Sequence, residues 1–423
     1  MRIATSWPWQ GLDDSTPSRF GRFDLNAEFQ PIVSPSHNRV VGYEALARPV
    51  LDGEGVSPKL LFDEIADLDS VPELDLALWQ TFLRRYARTK PHAWLFLNLS
   101  AASVSARIPS AARLAQLVRN AGLSCSRIVL EIVEEAVADQ AALEEFVSEC
   151  RLEGFRTAID DFGAGDAHFE RIWRIRPDIV KMDRAMVAAA AHNARASQLM
   201  LSLIRMIREN GSLVLIEGIE TEAEARLAWE SDADLYQGFW FSYPGRDFDE
   251  AAETAQRALV EGHERFAACS DQQERELKAY LSDLKAAVLW ACGQLALGYS
   301  VADSVSMLFG QAGVKRCYLL DEYGVQHGDT AQAPSASRLD TIPFNPLIKS
   351  CGATWSHRDY FRNAVDRPGD VCLSRPYVAL PDTVRTVTAS CLVRTADGVQ
   401  VLCVDLHPEL AFPGSHKLLP THI

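Results

Sequence analysis

EFQPIVSPSHNRVVGYEALAR, residues 28–48, consists of two apolar runs, EFQPIVS (28–34) and VGYEALAR (41–48), joined only by PSHNRV. That connection is too short for a crossover helix, so the two runs predict an antiparallel hairpin. The second run also raises a question of cost. Side chains alternate across a strand, which puts Glu44, Leu46 and Arg48 on one face and Tyr43, Ala45 and Ala47 on the other. A carboxylate and a guanidinium on an inward face are expensive unless they are paired or bound to something.

Six further runs follow: WLFLNLS (94–100), IVLEIVE (128–134), FRTAID (155–160), DIVKMD (178–183), LVLIEGIE (213–220) and LYQGFWFS (235–242). Strand-like runs separated mostly by helical patterns predict a parallel β/α barrel, and the hairpin makes its first strand the reversed one. Thr221 and Glu224 have capping-box spacing, while Gly122, Gly154 and Gly211 fall where helices stop. After residue 262 the texture changes. Residues 271–297 read as one helix with Leu277, Leu281, Leu284, Val288, Ala291 and Leu295 at steps of four and three. That stripe suits packing on its own domain's sheet or pairing with a second copy. Residues 299–410 alternate short strands such as KRCYLLD and QVLCVDL with turns at EYG and ADG, a second, mixed α/β domain. The expected organisation is an N-terminal segment (1–25), a barrel (26–262), a connecting helix (263–298), a second domain (299–413) and a tail (414–423). In the first segment Trp7 and Trp9 suggest docking on another surface.

The composition, 48% hydrophobic and 23% charged, is that of a soluble globular chain. The longest apolar stretch, AAVLWACGQLALGY (286–299), is too short and interrupted to span a bilayer. MRIATSWPWQGLDD lacks a leader-like core, so a cytoplasmic location without membrane contact is expected. Nine cysteines without a CxxC pair suggest reduced, buried thiols and neither a disulfide framework nor a zinc site. A net charge of −15 argues against a nucleic-acid duplex as partner. It leaves room for a small anion, because bound cations reverse the sign of a site locally.

Polar residues interrupt the apolar runs at Gln30, Glu44, Arg48, Asn98, Glu131, Asp160, Asp161, Lys181, Glu217 and Gln237. In a β/α barrel these converge on one mouth, where the chemistry occurs. Five carboxylates and an amide oxygen, without His or Cys, suit Mg²⁺ or Mn²⁺. Adjacent Asp160 and Asp161 can serve two ions, and a two-ion centre can bind a phosphodiester and activate water for in-line attack. Counting −5 for the carboxylates, +4 for two ions and +2 for Arg48 and Lys181 leaves +1, which favours an anionic substrate.

QPIV (30–33), Glu44-Ala45-Leu46-Ala47-Arg48, Asn98 in FLNLS, Glu131 with Glu134, DDFGAG (160–165), KMD (181–183), EGIE (217–220) and QG (237–238) stand in the order of the EAL family. Residues 26–245 thus resemble EAL proteins, which are phosphodiesterases for cyclic di-GMP. The resemblance implies a TIM-type barrel with an antiparallel first strand, hydrolysis to linear pGpG, two Mg²⁺ or Mn²⁺ ions and a homodimer. It implies one ion on Glu44, Asn98, Glu131 and Asp160 and the other on Asp160, Asp161 and Glu217. Lys181 would orient the water and Glu134 would brace the loop after Asp161, completing a catalytic set with Glu44 and Glu217. Arg48 would grip a phosphate, with Gln30, Leu46, Asp183, Glu220 and Gln237 as further substrate contacts.

The family loop DDFG-x-GYSS departs here to Asp166, Ala167 and His168 after Gly165. A receptor that binds cyclic di-GMP without turnover is therefore the alternative reading. A barrel glycosidase would use paired carboxylates but leaves the Asn, Lys and Arg set unexplained. A kinase is excluded because His357-Arg358-Asp359 lies downstream of Asp161-Phe162-Gly163 and no phosphate loop precedes it. WSHRDYF (355–361), LSRPYV (373–378), TVTASCLV (386–393) and CVDL (403–406) resemble a PAS- or Cache-like sensor region. Arg358, Asp359, Tyr360, Tyr377 and Asp405 are its candidates for a small-ligand site, against a reading as turn contacts and strand packing. Occupancy of that site would bias the barrel through the 271–297 helix.

Overall fold

A computed structural model of the chain describes residues 18–65, 70–89, 92–133, 140–163, 169–334, 350–379 and 384–411. Two compact units divide at residues 267 and 268. In the first, eight strands close on themselves: β1 (Phe23–Ser34), β2 (Arg39–Leu51), β3 (Trp94–Leu99), β4 (Ile128–Val133), β5 (Arg156–Phe162), β6 (Ile179–Met182), β7 (Leu213–Ile216) and β8 (Leu235–Tyr236). Neighbours run β1-β8-β7-β6-β5-β4-β3-β2, and β2 returns to β1. β1 is antiparallel to both neighbours. All other pairings are parallel. The chain is a TIM-type barrel with a reversed first strand, as the short PSHNRV connection requires.

The strands are apolar on both faces because both are covered. Outward residues such as Leu95, Leu97, Leu130, Val180 and Val214 pack in the large cluster under the helices. Inside, Ile32, Phe96, Val129, Ala158, Ile179, Leu215 and Leu235 form a closed layer, one from every strand except β2. The position on β2 belongs to Gly42, paired with Ile32. A Cβ there would sit 2.6 Å from the Phe96 ring, which is fully buried and has nowhere to move. Gly42→Ala is therefore expected to cost about 1–3 kcal/mol by overpacking, read as a lower urea midpoint at unchanged slope.

The seventh and eighth strands end earlier than their apolar runs. Past Ile216 and Tyr236 the two segments are laced to each other, Ile219 N donating to Gln237 O at 3.1 Å. Gly238 permits this: a Cβ on it would lie 2.0 Å from the Ile219 carbonyl oxygen.

The connecting helix is also longer than its leucine stripe, spanning Phe248–Ala296. Its first part was hidden because small residues mix with the large ones that dock on the barrel, Phe248, Ala251, Ala255, Leu259 and Phe266. In the second unit, β9 (Val314–Asp321), β10 (Gln326–Gln332), β11 (Cys372–Leu373), β12 (Arg385–Thr395) and β13 (Gly398–Leu406) form an antiparallel sheet in the order β10-β9-β13-β12-β11. Leu281, Leu284, Val288, Ala291 and Leu295 pack on one face of that sheet. The helix Asp359–Asp366 contributes Tyr360, Phe361 and Ala364 to the opposite core. Among the described residues no helix is long and apolar enough to cross a membrane.

Candidate active site

The barrel's register builds the site. Each strand places a polar residue two positions from its inner-layer residue, on the same inward face: Glu44, Asn98, Glu131, Asp160, Lys181, Glu217 and Gln237. On reversed β1 the step runs backwards, from Ile32 to Gln30, and Gln30 pairs with Glu44 across the ladder. One apolar layer thus carries one polar ring at the C-terminal rim.

The ring is cross-linked. Asn98 Nδ2 donates to Glu44 Oε1 at 3.1 Å, and Gln237 Nε2 donates to Glu44 Oε2 at 2.7 Å. Gln237 Nε2 also reaches Gln30 Oε1 at 3.2 Å. Lys181, 1% exposed, lies among the acids: its Nζ is 2.5 Å from Glu131, 2.5 Å from Glu217, 2.9 Å from Asp160 and 4.0 Å from Glu44. Burial opposes the ammonium charge, but Asp160, Glu131, Glu217 and Glu44 together outweigh it and hold the lysine pKa well above its ordinary value. Burial pushes the Glu131 and Glu217 carboxyls well up, against the opposing pull of Lys181. A single ammonium does not neutralise this many acids.

Asp161 enters the site by a backbone device. Strict alternation would turn it away from the face of Asp160. Instead the β5–β6 ladder shifts register between Ile159 and Phe162, and Asp161 adopts φ 56°, in the left-handed region. Its N–H donates to Asp160 Oδ1 at 3.0 Å. Carboxylate oxygens of Asp160, Asp161 and Glu217 then lie within 4.8 Å of one another, as do those of Glu44, Glu131 and Glu217. Burial first, and then the charge of Asp160, raise the Asp161 carboxyl. Glu131 Oε2 is buried without a hydrogen-bond partner among the described residues. An all-oxygen set holding an orphaned acceptor and crowded negative charge fits hard divalent cations.

The other candidate residues have different fates. Leu46 and Arg48 continue the face of Glu44 outward. Leu46 lines a cavity of about 310 Å³ with Phe62, Asp75, Leu78, Phe82 and Asn98. Arg48 Nε is paired with Glu28 at 2.7 Å, and Nη1 donates to Ala47 O at 3.1 Å. Asp183 Oδ1 caps the helix Arg184–His192 through Ala185 N at 2.8 Å. Glu220 is held by both terminal nitrogens of Arg184, each at 2.9 Å. Glu134, Asp166 and His168 lie outside the described residues. Sequence reading missed Phe239 and Tyr243, exposed and stacked at 4.5 Å just past Gln237. The aromatic density of GFWFSY was their signal.

In the second unit four of the five candidates meet. Asp405, 1% exposed, accepts from Arg316 Nε and Thr388 Oγ1, both at 2.7 Å. Tyr377 OH lies 2.8 Å from Thr388 Oγ1, its ring stacks on Tyr360, and the Arg358 guanidinium sits 5.3 Å from its centroid. Asp359 serves the turn instead, accepting from Tyr360 N at 2.8 Å.

The EAL domain model matches residues 17–244. YkuI of Bacillus subtilis (strain 168), an EAL-domain containing protein, is 26% identical over 245 residues, covering 57% of this chain and 60% of its own. RocR of Pseudomonas aeruginosa, a cyclic di-GMP phosphodiesterase, is 26% identical over 242 residues, covering 56% and 59%. The chain spans less than two thirds of the length of these curated relatives. A crystal structure of Bacillus subtilis YkuI, in complex with substrate c-di-GMP and calcium, superposes with a TM-score of 0.72 at 21% identity. That likeness covers 90% of this chain and 96% of the other, and it is a likeness of fold.

Proposed function

We propose, from the premise that this chain belongs to the EAL domain family, that it is a divalent-metal-dependent phosphodiesterase opening cyclic di-GMP to linear pGpG. The observation that carries the reading is the single inward ring holding Glu44, Asn98, Glu131, Asp160, Lys181 and Glu217, with Asp161 turned in beside it. RocR is a cyclic di-GMP phosphodiesterase, which supports the substrate. Glu44, Asn98, Glu131 and Asp160 would hold one ion, and Asp160, Asp161 and Glu217 the other. Bound there, two Mg²⁺ or Mn²⁺ ions supply the positive charge that admits a phosphodiester and acidifies the attacking water.

The chain's own groups do the positioning. Asn98 and Gln237 grip the two oxygens of Glu44 from opposite sides and fix its rotation. Lys181, kept protonated by the surrounding acids, donates a hydrogen bond that orients the water. Arg48 has Nε and Nη1 committed to Glu28 and Ala47, which leaves Nη2 for a phosphate oxygen. Gln30 and Gln237 close the ring on the side of the reversed strand.

The second unit is, in this reading, a PAS- or Cache-like sensor domain regulating the barrel, with a small-ligand site at Arg358, Tyr360, Tyr377 and Asp405. The burial of so many charged and hydroxyl groups together supports it. A homodimer rests on the family resemblance alone, and a cytoplasmic location on the reading of the sequence above. The test is incubation of the purified chain with cyclic di-GMP and Mn²⁺, then Mg²⁺, with chromatography for pGpG. Metal-dependent pGpG release is expected. Retained binding without product would replace the enzyme by a cyclic di-GMP receptor.

A further inference from the structure

Two side chains outside the ring hold the end of β3. Both come from the helix Val71–Thr89, one turn apart. Trp79 is 1% exposed, and its Nε1 donates to the Asn98 carbonyl oxygen at 3.0 Å. Asp75 is 4% exposed, and its Oδ2 accepts from Ser100 N at 3.0 Å and from Ser103 Oγ at 2.6 Å. Ser100 in turn caps the helix Ala101–Ala106, accepting from Ser103 N at 3.1 Å. The backbone is therefore pinned on both sides of Leu99.

We infer that Asp75 and Trp79 are positioning residues that hold the Asn98 amide with its nitrogen on Glu44, which leaves its oxygen for a cation. An amide binds a cation only through oxygen, so Asn98 serves the centre only while Nδ2 is committed to another partner. The 3.1 Å bond from Nδ2 to Glu44 Oε1 is that orientation, and it depends on where the pinned backbone puts Cβ. The helix thus acts on the centre through Asn98 and touches no reacting atom.

The inference rests on the metal-dependent reading above, so its test measures Mn²⁺ binding directly, by electron paramagnetic resonance of the free ion, with pGpG release alongside. Trp79→Phe keeps an aromatic ring, though a smaller one, and deletes the donor; Asp75→Ala deletes the acceptor; Asp75→Asn keeps an oxygen in place. Partners of this kind are worth about 10- to 100-fold in metal affinity, the loss expected for Trp79→Phe and Asp75→Ala. Asp75→Asn should lose less than Asp75→Ala. Leu83→Val, a packing change in the same helix, should lower the melting temperature while leaving Mn²⁺ affinity unchanged. Wild-type Mn²⁺ affinity in Trp79→Phe and Asp75→Ala overturns the inference and spares the enzyme reading. Affinity that merely tracks melting temperature across the set, Leu83→Val included, also overturns it. Failure of the unaltered chain to bind Mn²⁺ brings down both. Should Asp75→Ala not fold, Trp79→Phe and Asp75→Asn decide.

Discussion

Lys181→Met, measured in chelator, is expected to melt about 10 °C below the unaltered chain and to regain much of that loss on addition of Mn²⁺. The lysine is 1% exposed and Glu131 is fully buried. Removing one partner of a buried ionic set leaves uncompensated charge, typically at about 3–5 kcal/mol. In a domain of this size each kcal/mol moves the melting point by roughly 2–4 °C. The sign with pH is fixed by the carboxyls. Burial already raises Glu131 and Glu217, and losing the ammonium raises them further. A group whose folded pKa is raised contributes stability at low pH that is lost as pH rises through that pKa. The gap between variant and unaltered chain should therefore widen from acidic toward neutral pH. Equal melting points in chelator at neutral pH would show that Lys181 is not the counter-charge of the ring.

Asp160→Asn separates charge from shape. Asn keeps an oxygen for the Asp161 N–H and fills the same volume, so the bulge at Asp161 should survive. What disappears is a negative charge that, by family resemblance, serves both ions. Turnover of cyclic di-GMP should fall by at least about 10³-fold, or roughly 4 kcal/mol of transition-state stabilisation. Thermal stability should be unchanged or slightly higher, because like-charge crowding is relieved. A rate within tenfold of the unaltered chain, measured as pGpG release, would refute the metal assignment.

The barrel was legible because its evidence is periodic and repeated. Eight apolar runs, and one connection too short for a helix, specify a closed sheet with a reversed member before any coordinate is known. The ring was legible because a charge inside an apolar run is costly wherever it occurs, so each exception announced itself. Asp161 was placed in the mouth with the rest, but the device that turns it in was not legible: alternation predicts the opposite face, and the register shift that reverses it leaves no periodic trace. Asp183 and Glu220 show a different limit. Motif spacing gives a carboxylate its address but not its partner, and here one caps a helix while the other is clamped by Arg184. Trp79 and Asp75 carry no signal in the sequence, since a hydrogen bond to a backbone group some twenty residues away depends on the packed fold and not on local pattern. Glycine at position 42 was equally silent, its value set by a phenylalanine 54 residues away in sequence.

The reversal of β1 also sets the end of the barrel at which its first strand begins. Phe23 pairs with Leu51, beyond Glu44 on the catalytic side, and the strand then descends through Gln30 into the interior. In an all-parallel barrel the first strand would climb from the opposite end, and upstream sequence would start far from the substrate. Here the strand begins on the substrate's side, entered through the turn at Gly21 and Arg22 from a short strand, Ser18–Phe20, that lies back along it, so a fluorescent reporter attached at that turn would stand on the catalytic side, where its signal can report on what goes in.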